Sequence, residues 1–171
     1  VLGIDPGTVR MGYGVLSSGD RPEVEDYGVI ALPTSMPLEQ RLYQLYTHVV
    51  NMIGIFRPTE IAVEKPFVGK GERQFVGPAI AVGQAQAVVL IGAASQAIPV
   101  FGYSPAEIKS SVADFGAASK EQMQKVVTTT LGLTEMPESD AADALSVCLC
   151  HLIRVQSDSA LSREIPPGLE R

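Results

Sequence analysis

The chain has 171 residues, 46% of them apolar, and a net charge of −6 at neutral pH. That length and apolar share suit one globular domain with a full hydrophobic core, and exclude a disordered or fibrous chain. The net charge alone argues against a nucleic-acid partner, but from Lys65 to Lys125 basic residues outnumber acids six to four, so the sum decides little.

In chain order, residues 1–5 read as a buried strand. Gly12 to Ser17 and Val24 to Leu32 read as two more, joined by the turn-rich link Ser17-Ser18-Gly19-Asp20-Arg21-Pro22. Three strands with short links predict an antiparallel meander. From Pro37 to Phe56, Leu38, Leu42, Leu45, Val49, Ile53 and Phe56 fall on one helical face, and Arg57-Pro58 stops the helix. Glu60 to Glu64 is a short strand, and a helix between two strands favours a parallel crossover. Residues 65–76 form a loop, followed by a helix from about Gly77 to Ala97 rich in alanine and glycine, whose small side chains suit either packing on the sheet or a subunit interface. Ile98 to Tyr103 is a fifth strand. Ser104-Pro105-Ala106-Glu107 supplies an N-cap, a first-turn proline and a capping-box glutamate for a helix that Gly116 breaks. Further helices run from Ser119 to about Leu131 and from about Asp140 to Val155. The chain thus reads as one α/β domain over 1–155, with a polar, mobile tail over 156–171.

The apolar stretches, such as 85–94, contain Gln86 and Gly92 and fall short of a membrane span, and no basic segment precedes the first apolar run as in a signal peptide. Cys148 and Cys150, at i and i+2 of a helix, point to different faces and match neither a zinc nor a redox spacing. They read as reduced thiols near a core, which points to the cytoplasm, with no membrane partner.

Four acids stand out because each adjoins apolar sequence, where an unpaired carboxylate is costly to bury. Asp5 ends the first strand and precedes Pro6-Gly7-Thr8. It suits a metal-binding carboxylate beside a turn that lets backbone approach a phosphate, the phosphate loop of actin and Hsp70-type ATPases, or a turn using Asp, Pro and Gly for geometry alone. The ATPase reading needs a second, duplicated lobe, for which the chain is too short. Glu64 ends the fourth strand and could face water. It is followed by Phe67 among Lys65, Lys70 and Arg73 in a glycine-containing loop, where Phe67 suits either stacking on an exposed base or an ordinary place in the core. Asp140 and Asp143 lie three apart at the start of the last helix, where the helix dipole alone favours acids, but the alanines between them leave open space around the carboxylates. If the first and fourth strands are neighbours, all four acids meet at the carboxyl edge of the sheet. Such a set suits a pair of hard divalent cations. Lys109 and Lys120 follow the fifth strand on two short helices, where solvated charge is the usual fate of lysine, and His48 and His151 carry no expected role.

Gly3-Ile4-Asp5-Pro6-Gly7-Thr8, Val63-Glu64 followed by Phe67, Gly83-Gln84-Ala85, and Asp140-Ala141-Ala142-Asp143-Ala144-Leu145 occur in that order. Together they resemble the RuvC-type Holliday junction resolvases over about residues 1 to 152, as does the stretch from Pro99-Val100-Phe101 through Lys109 to Lys120. The resemblance implies an RNase H-like fold with a five-stranded mixed sheet flanked by helices. It also implies a bacterial, cytoplasmic homodimer that makes paired symmetric nicks in four-way junction DNA during recombination and repair, with the RuvA–RuvB branch-migration complex as partner. Asp5, Glu64, Asp140 and Asp143 match the catalytic tetrad and would hold two Mg²⁺, or Mn²⁺, per subunit. Phe67 matches an aromatic that stacks at the junction core, and Lys109 and Lys120 match lysines used in catalysis or DNA contact, with Lys65, Lys70 and Arg73 as further DNA contacts. The family's Gly-Gln-Ala-Arg-Gly stands here as Gly83-Gln84-Ala85-Gln86-Ala87, which removes a positive charge. Two rivals are an RNase H-like nuclease for another nucleic acid and a non-catalytic junction-binding protein.

Overall fold

The computed structural model describes residues 1–19, 21–66, 76–113 and 118–164, with side chains for all of these but 76 and 159–164. Ten elements follow one another: β1 (Leu2–Asp5), β2 (Arg10–Leu16), β3 (Val24–Ala31), α1 (Leu38–Phe56), β4 (Ile61–Glu64), α2 (Val76–Ser95), β5 (Val100–Tyr103), α3 (Pro105–Ala113), α4 (Lys120–Thr130) and α5 (Ser139–Glu164). They form a five-stranded sheet in the order β3-β2-β1-β4-β5. The meander β1-β2-β3 is antiparallel, and β1-β4 and β4-β5 are parallel, as the short turns and the helical crossovers predict. Gly116 and the break expected there lie outside the described residues.

The pleat decides which residues meet. On β1 and β4, Leu2, Ile4, Ile61 and Val63 are buried in one core layer with Leu45, Val49 and Ile53 of α1 and Ala85, Val88 and Val89 of α2. The alternate residues face the other way, where Ala62 shares a second core layer with Ile108 of α3, Val127 of α4 and Leu145, Cys148 and Leu149 of α5. Because side chains alternate along a strand, Asp5 follows Gly3 and Glu64 follows Ala62 onto this second face. Fully burying each of these aliphatic side chains contributes roughly 1.5–3 kcal/mol, so a register slip that moved the two acids to the α1/α2 side would also expose the core.

Helix α5 lies across the second face at unusually short range because β1 and β2 offer glycines beneath it. A Cβ at Gly12 would overlap the backbone carbonyl of Asp140, and one at Gly3 would overlap the carbonyl of Ala144 and the sulfur of Cys148. Gly12 is the register partner of Asp5. The first turn of α5 is therefore seated directly beside the end of β1, and its small residues Ala141 and Ala142 are buried in the contact.

Two expectations are corrected. The last helix does not stop at Val155 but continues to Glu164, well into the segment assigned to a polar tail. No proline or glycine interrupts residues 156–164, and the first breakers are Pro166-Pro167-Gly168, so polarity alone was a poor stop signal. Helix α2 is also more apolar than its short uninterrupted runs suggest: over Gly77–Ser95 it is long and apolar enough to cross a membrane by length and composition. One side, with Ala85, Val88, Val89 and Ala93, packs into the core, while Ile80, Leu90 and Ile91 are exposed.

Candidate active site

The cavity at the carboxyl end of the sheet has a volume of about 300 Å³ and is lined by Asp5, Glu64, Asp143, Lys109 and Lys120, with Pro105, Ile108, Met123 and Ser146. Five of the six residues expected to be catalytic thus share one hollow, each brought by a different element. Asp5 and Glu64 arrive on neighbouring strands, with Ile4 paired to Val63 just before them. Asp143 comes from the second turn of α5. Lys109 lies on α3, whose capping box forms as expected: the Ser104 hydroxyl and backbone N–H both donate to the Glu107 carboxylate, and Glu107 N–H donates to the Ser104 hydroxyl. Lys120 is the first residue of α4, directly after the N-cap Ser119, which forms a capping box with Gln122. A cation at that position opposes the helix dipole. Its neighbours explain the placement: Lys120 Nζ lies 3.3 Å from Asp143 and 3.5 Å from the Ser139 hydroxyl.

The sixth residue departs from expectation. Asp140 does not line the cavity. Its carboxylate accepts a hydrogen bond from Arg10 Nε, while Arg10 Nη2 donates to Glu138 at 2.7 Å. Arg10 is a site residue that the sequence reading missed, because nothing in Thr8-Val9-Arg10-Met11 marks it as facing α5; a strand starting at Arg10 instead of Gly12 would have been the signal. Arg41 was missed as well. From α1 it donates to the carbonyl of Thr8, tying down the loop that follows Asp5.

Lys65 lines a second hollow of about 220 Å³, shared by Asp5 and Glu64 with Pro6, Pro66, Pro78, Ala79 and Val82. Phe67, Lys70 and Arg73 lie outside the described residues. His48 takes no part in either hollow. His151 is fully buried, bridging the Tyr103 hydroxyl at 2.7 Å and Glu60 at 2.9 Å, a packing role that its isolation in sequence did not reveal. The two cysteines are free and buried.

The electrostatics describe a site short of positive charge. Asp5 and Glu64 are each pushed up to about 7, first by burial and then by neighbouring carboxylates, Glu64, Asp143 and Asp140 acting on Asp5 and Asp143 acting on Glu64. Asp143 is raised too, by burial first, while Lys120 pulls it back. Lys120 is raised in turn, chiefly by Asp143. Among the described residues no three His, Cys, Asp or Glu stand close enough to hold one ion between them. This all-oxygen, part-assembled donor set fits a hard divalent cation that keeps water and substrate oxygens among its ligands, the habit of Mg²⁺, and does not fit an all-protein cage.

The family model described as crossover junction endodeoxyribonuclease RuvC matches residues 1–151. The chain belongs to the RuvC family. A relative of that description from Dehalococcoides mccartyi is 47% identical over 154 residues, which are 88% of this chain and 90% of the relative. Among solved structures, Thermus thermophilus RuvC in complex with a Holliday junction substrate matches with a TM-score of 0.83 and 31% identity, over 92% of this chain and 95% of that one. The yeast mitochondrial Holliday junction resolvase has the same fold at 15% identity and a TM-score of 0.63, over 95% of this chain and 82% of that one. The five-stranded mixed sheet flanked by helices is thus the RNase H-like fold of the RuvC resolvases, and the family is one of metal-dependent nucleases.

The raised carboxyls have a consequence for stability. Asp5 and Glu64 bind protons more tightly in the folded chain than in the unfolded one, so their contribution is a loss that grows as pH rises from about 4 and is complete above about 7. In chelator, the RuvC-family chain is expected to melt several degrees lower at pH 8 than at pH 6. Added Mg²⁺ recovers more at pH 8, and a D5N/E64Q double variant loses the difference. Melting curves at the two pH values check this, and a pH dependence unchanged in the double variant contradicts it.

Proposed function

We propose that this crossover junction endodeoxyribonuclease resolves Holliday junctions by two symmetric nicks, one at each of two identical carboxylate sites in a homodimer. The observation that carries the reading is the single cavity in which Asp5, Glu64 and Asp143 face Lys109 and Lys120. Asp5, Glu64, Asp143 and Asp140 are assigned as ligands for two Mg²⁺ or Mn²⁺ ions per subunit. Bound there, the ions supply an activated water and charge stabilisation for in-line hydrolysis, leaving a 5′ phosphate and a 3′ hydroxyl. The chain's own residues do the rest. Asp5 and Glu64, fixed on neighbouring strands, would hold the ions from the sheet side. Asp143 closes the cavity from the helix side, and Lys120 and Lys109 offset charge on the scissile phosphate. Phe67 is assigned to stacking at the junction core. Its chain neighbour Pro66 borders the hollow that Asp5, Glu64 and Lys65 share. Lys65, Lys70 and Arg73 serve as backbone contacts.

The dimer is supported by α2. Ile80, Ala87, Leu90, Ile91 and Ala94 are exposed along one stripe, Ile91 at 61%, and a Cβ at Gly83 would meet nothing within 4 Å among the described residues. A stripe of that kind fits a close helix contact with a second copy, and Gln86 beside it needs no partner charge. Ile91→Glu is expected to convert the dimer to a monomer in sedimentation and to abolish paired nicking while leaving the fold intact. A dimer that persists would overturn the α2 assignment. The RuvA–RuvB complex would deliver the junction, in the bacterial cytoplasm where that DNA lies. The whole reading is tested by exposing the protein side by side to a four-way junction, a linear duplex and an RNA–DNA hybrid with Mg²⁺. Junction cleavage in large excess supports it, equal cutting of all three assigns a general RNase H-like nuclease, and binding without cutting assigns a non-catalytic junction protein.

A further inference from the structure

The guanidinium of Arg10 spans two acids at the N-terminal end of α5, Asp140 and Glu138. It sits at the first position of β2, its side chain is 46% exposed, and these two carboxylates are its ion-pair partners among the described residues. Asp140 is 26% exposed, outside the cavity lining, yet near enough for its charge to act on Asp5. Its counterpart Asp143 is held by Lys120 at 3.3 Å through a single amine, whereas Arg10 offers a planar fork that engages both acids at once. A guanidinium and a divalent cation on the same carboxylate repel each other and contend for its lone pairs.

Resting on the two-ion reading above, we propose that Arg10 is a positioning residue that competes with the divalent cation for Asp140. In the metal-free chain it keeps Asp140 turned from Asp5 and neutralises the end of α5. Ion entry at that position requires Arg10 to release Asp140, and Glu138 then retains the guanidinium nearby. The ion that uses Asp140 is therefore the weaker of the two, and Arg10 sets how much weaker. The rival is a plain structural clip between β2 and α5, whose loss would affect stability but not ion affinity.

Mn²⁺ titrations of the full-length protein, followed by the electron paramagnetic resonance of free Mn²⁺, separate these. Wild type is expected to bind a tighter and a weaker ion. Arg10→Gln tightens the weaker one by roughly three- to tenfold, the range open to a half-exposed, charge-assisted pair. Arg10→Lys, which keeps the charge but cannot span both acids, falls between them, and Asp140→Asn loses the weaker ion. If Arg10→Gln binds both ions as wild type does, or the weaker one less tightly, the Arg10 proposal is overturned and the nuclease reading stands. A wild-type protein that binds no Mn²⁺ overturns both.

Discussion

Asp5→Asn is expected to nick a four-way junction about 10³-fold more slowly than wild type while binding it with similar affinity. The asymmetry follows from where Asp5 stands. It is the acid on which the most like charges act, those of Glu64, Asp143 and Asp140, so in the proposed reading its loss is the most damaging to cation binding in the cavity. Junction affinity, in the proposed reading, depends on Phe67 and the basic residues, which the amide leaves in place. The same substitution has a second signature that a general loss of fold cannot mimic. Asparagine removes a carboxyl that folding holds at about 7, so metal-free Asp5→Asn is expected to be more stable than wild type at pH 8, by on the order of 2–4 kcal/mol, and no more stable at pH 4. Cleavage and denaturant titrations on one preparation check both halves. Nicking at the wild-type rate, or a loss of stability at pH 8, would contradict the assignment.

Gly12→Ala is expected to lower cleavage by one to two orders of magnitude although Gly12 carries no functional group. A methyl at this position overlaps the carbonyl of Asp140, so α5 must lift from the sheet at the turn that carries the acids. Overpacking of this kind costs about 1–3 kcal/mol of stability, and misplacing a reacting group by about 1 Å can cost roughly a hundredfold in rate. The loss should appear in turnover and in Mg²⁺ dependence, not in junction affinity. Alanine at the exposed α1 position Gly54, where a Cβ meets nothing within 4 Å among the described residues, is a fitting control for stability. A Gly12→Ala protein with wild-type turnover would mean that the seating of α5 does not set the site.

The order of elements was readable because the relevant signals are local: strand alternation, helical spacing and caps. Asp5 and Glu64 could be placed at strand ends from sequence alone, and pleat parity then puts both on the α5 face once β1 and β4 are known to be neighbours. Lys120 was harder, since lysine at a helix start is unremarkable until Asp143 is found across from it. Arg10 was invisible because its partners are some 130 positions away in the chain, at Glu138 and Asp140, and only the packing of α5 on Gly12 brings them together. The length of α5 is hidden for the opposite reason: residues 156–164 are polar, yet no proline or glycine precedes Pro166 to end the helix. The junction itself leaves no local mark in the acids. The order of motifs along the chain and the family match supply the substrate.

One assay bears on the whole scheme at once: purified protein with a synthetic four-way junction, in Mg²⁺ and in chelator, with the product ends mapped. The scheme requires paired nicks at symmetric positions, only when divalent ions are present, leaving 5′ phosphates and 3′ hydroxyls that a ligase can seal. Cleavage that persists in chelator, or products with 3′ phosphates, would contradict it.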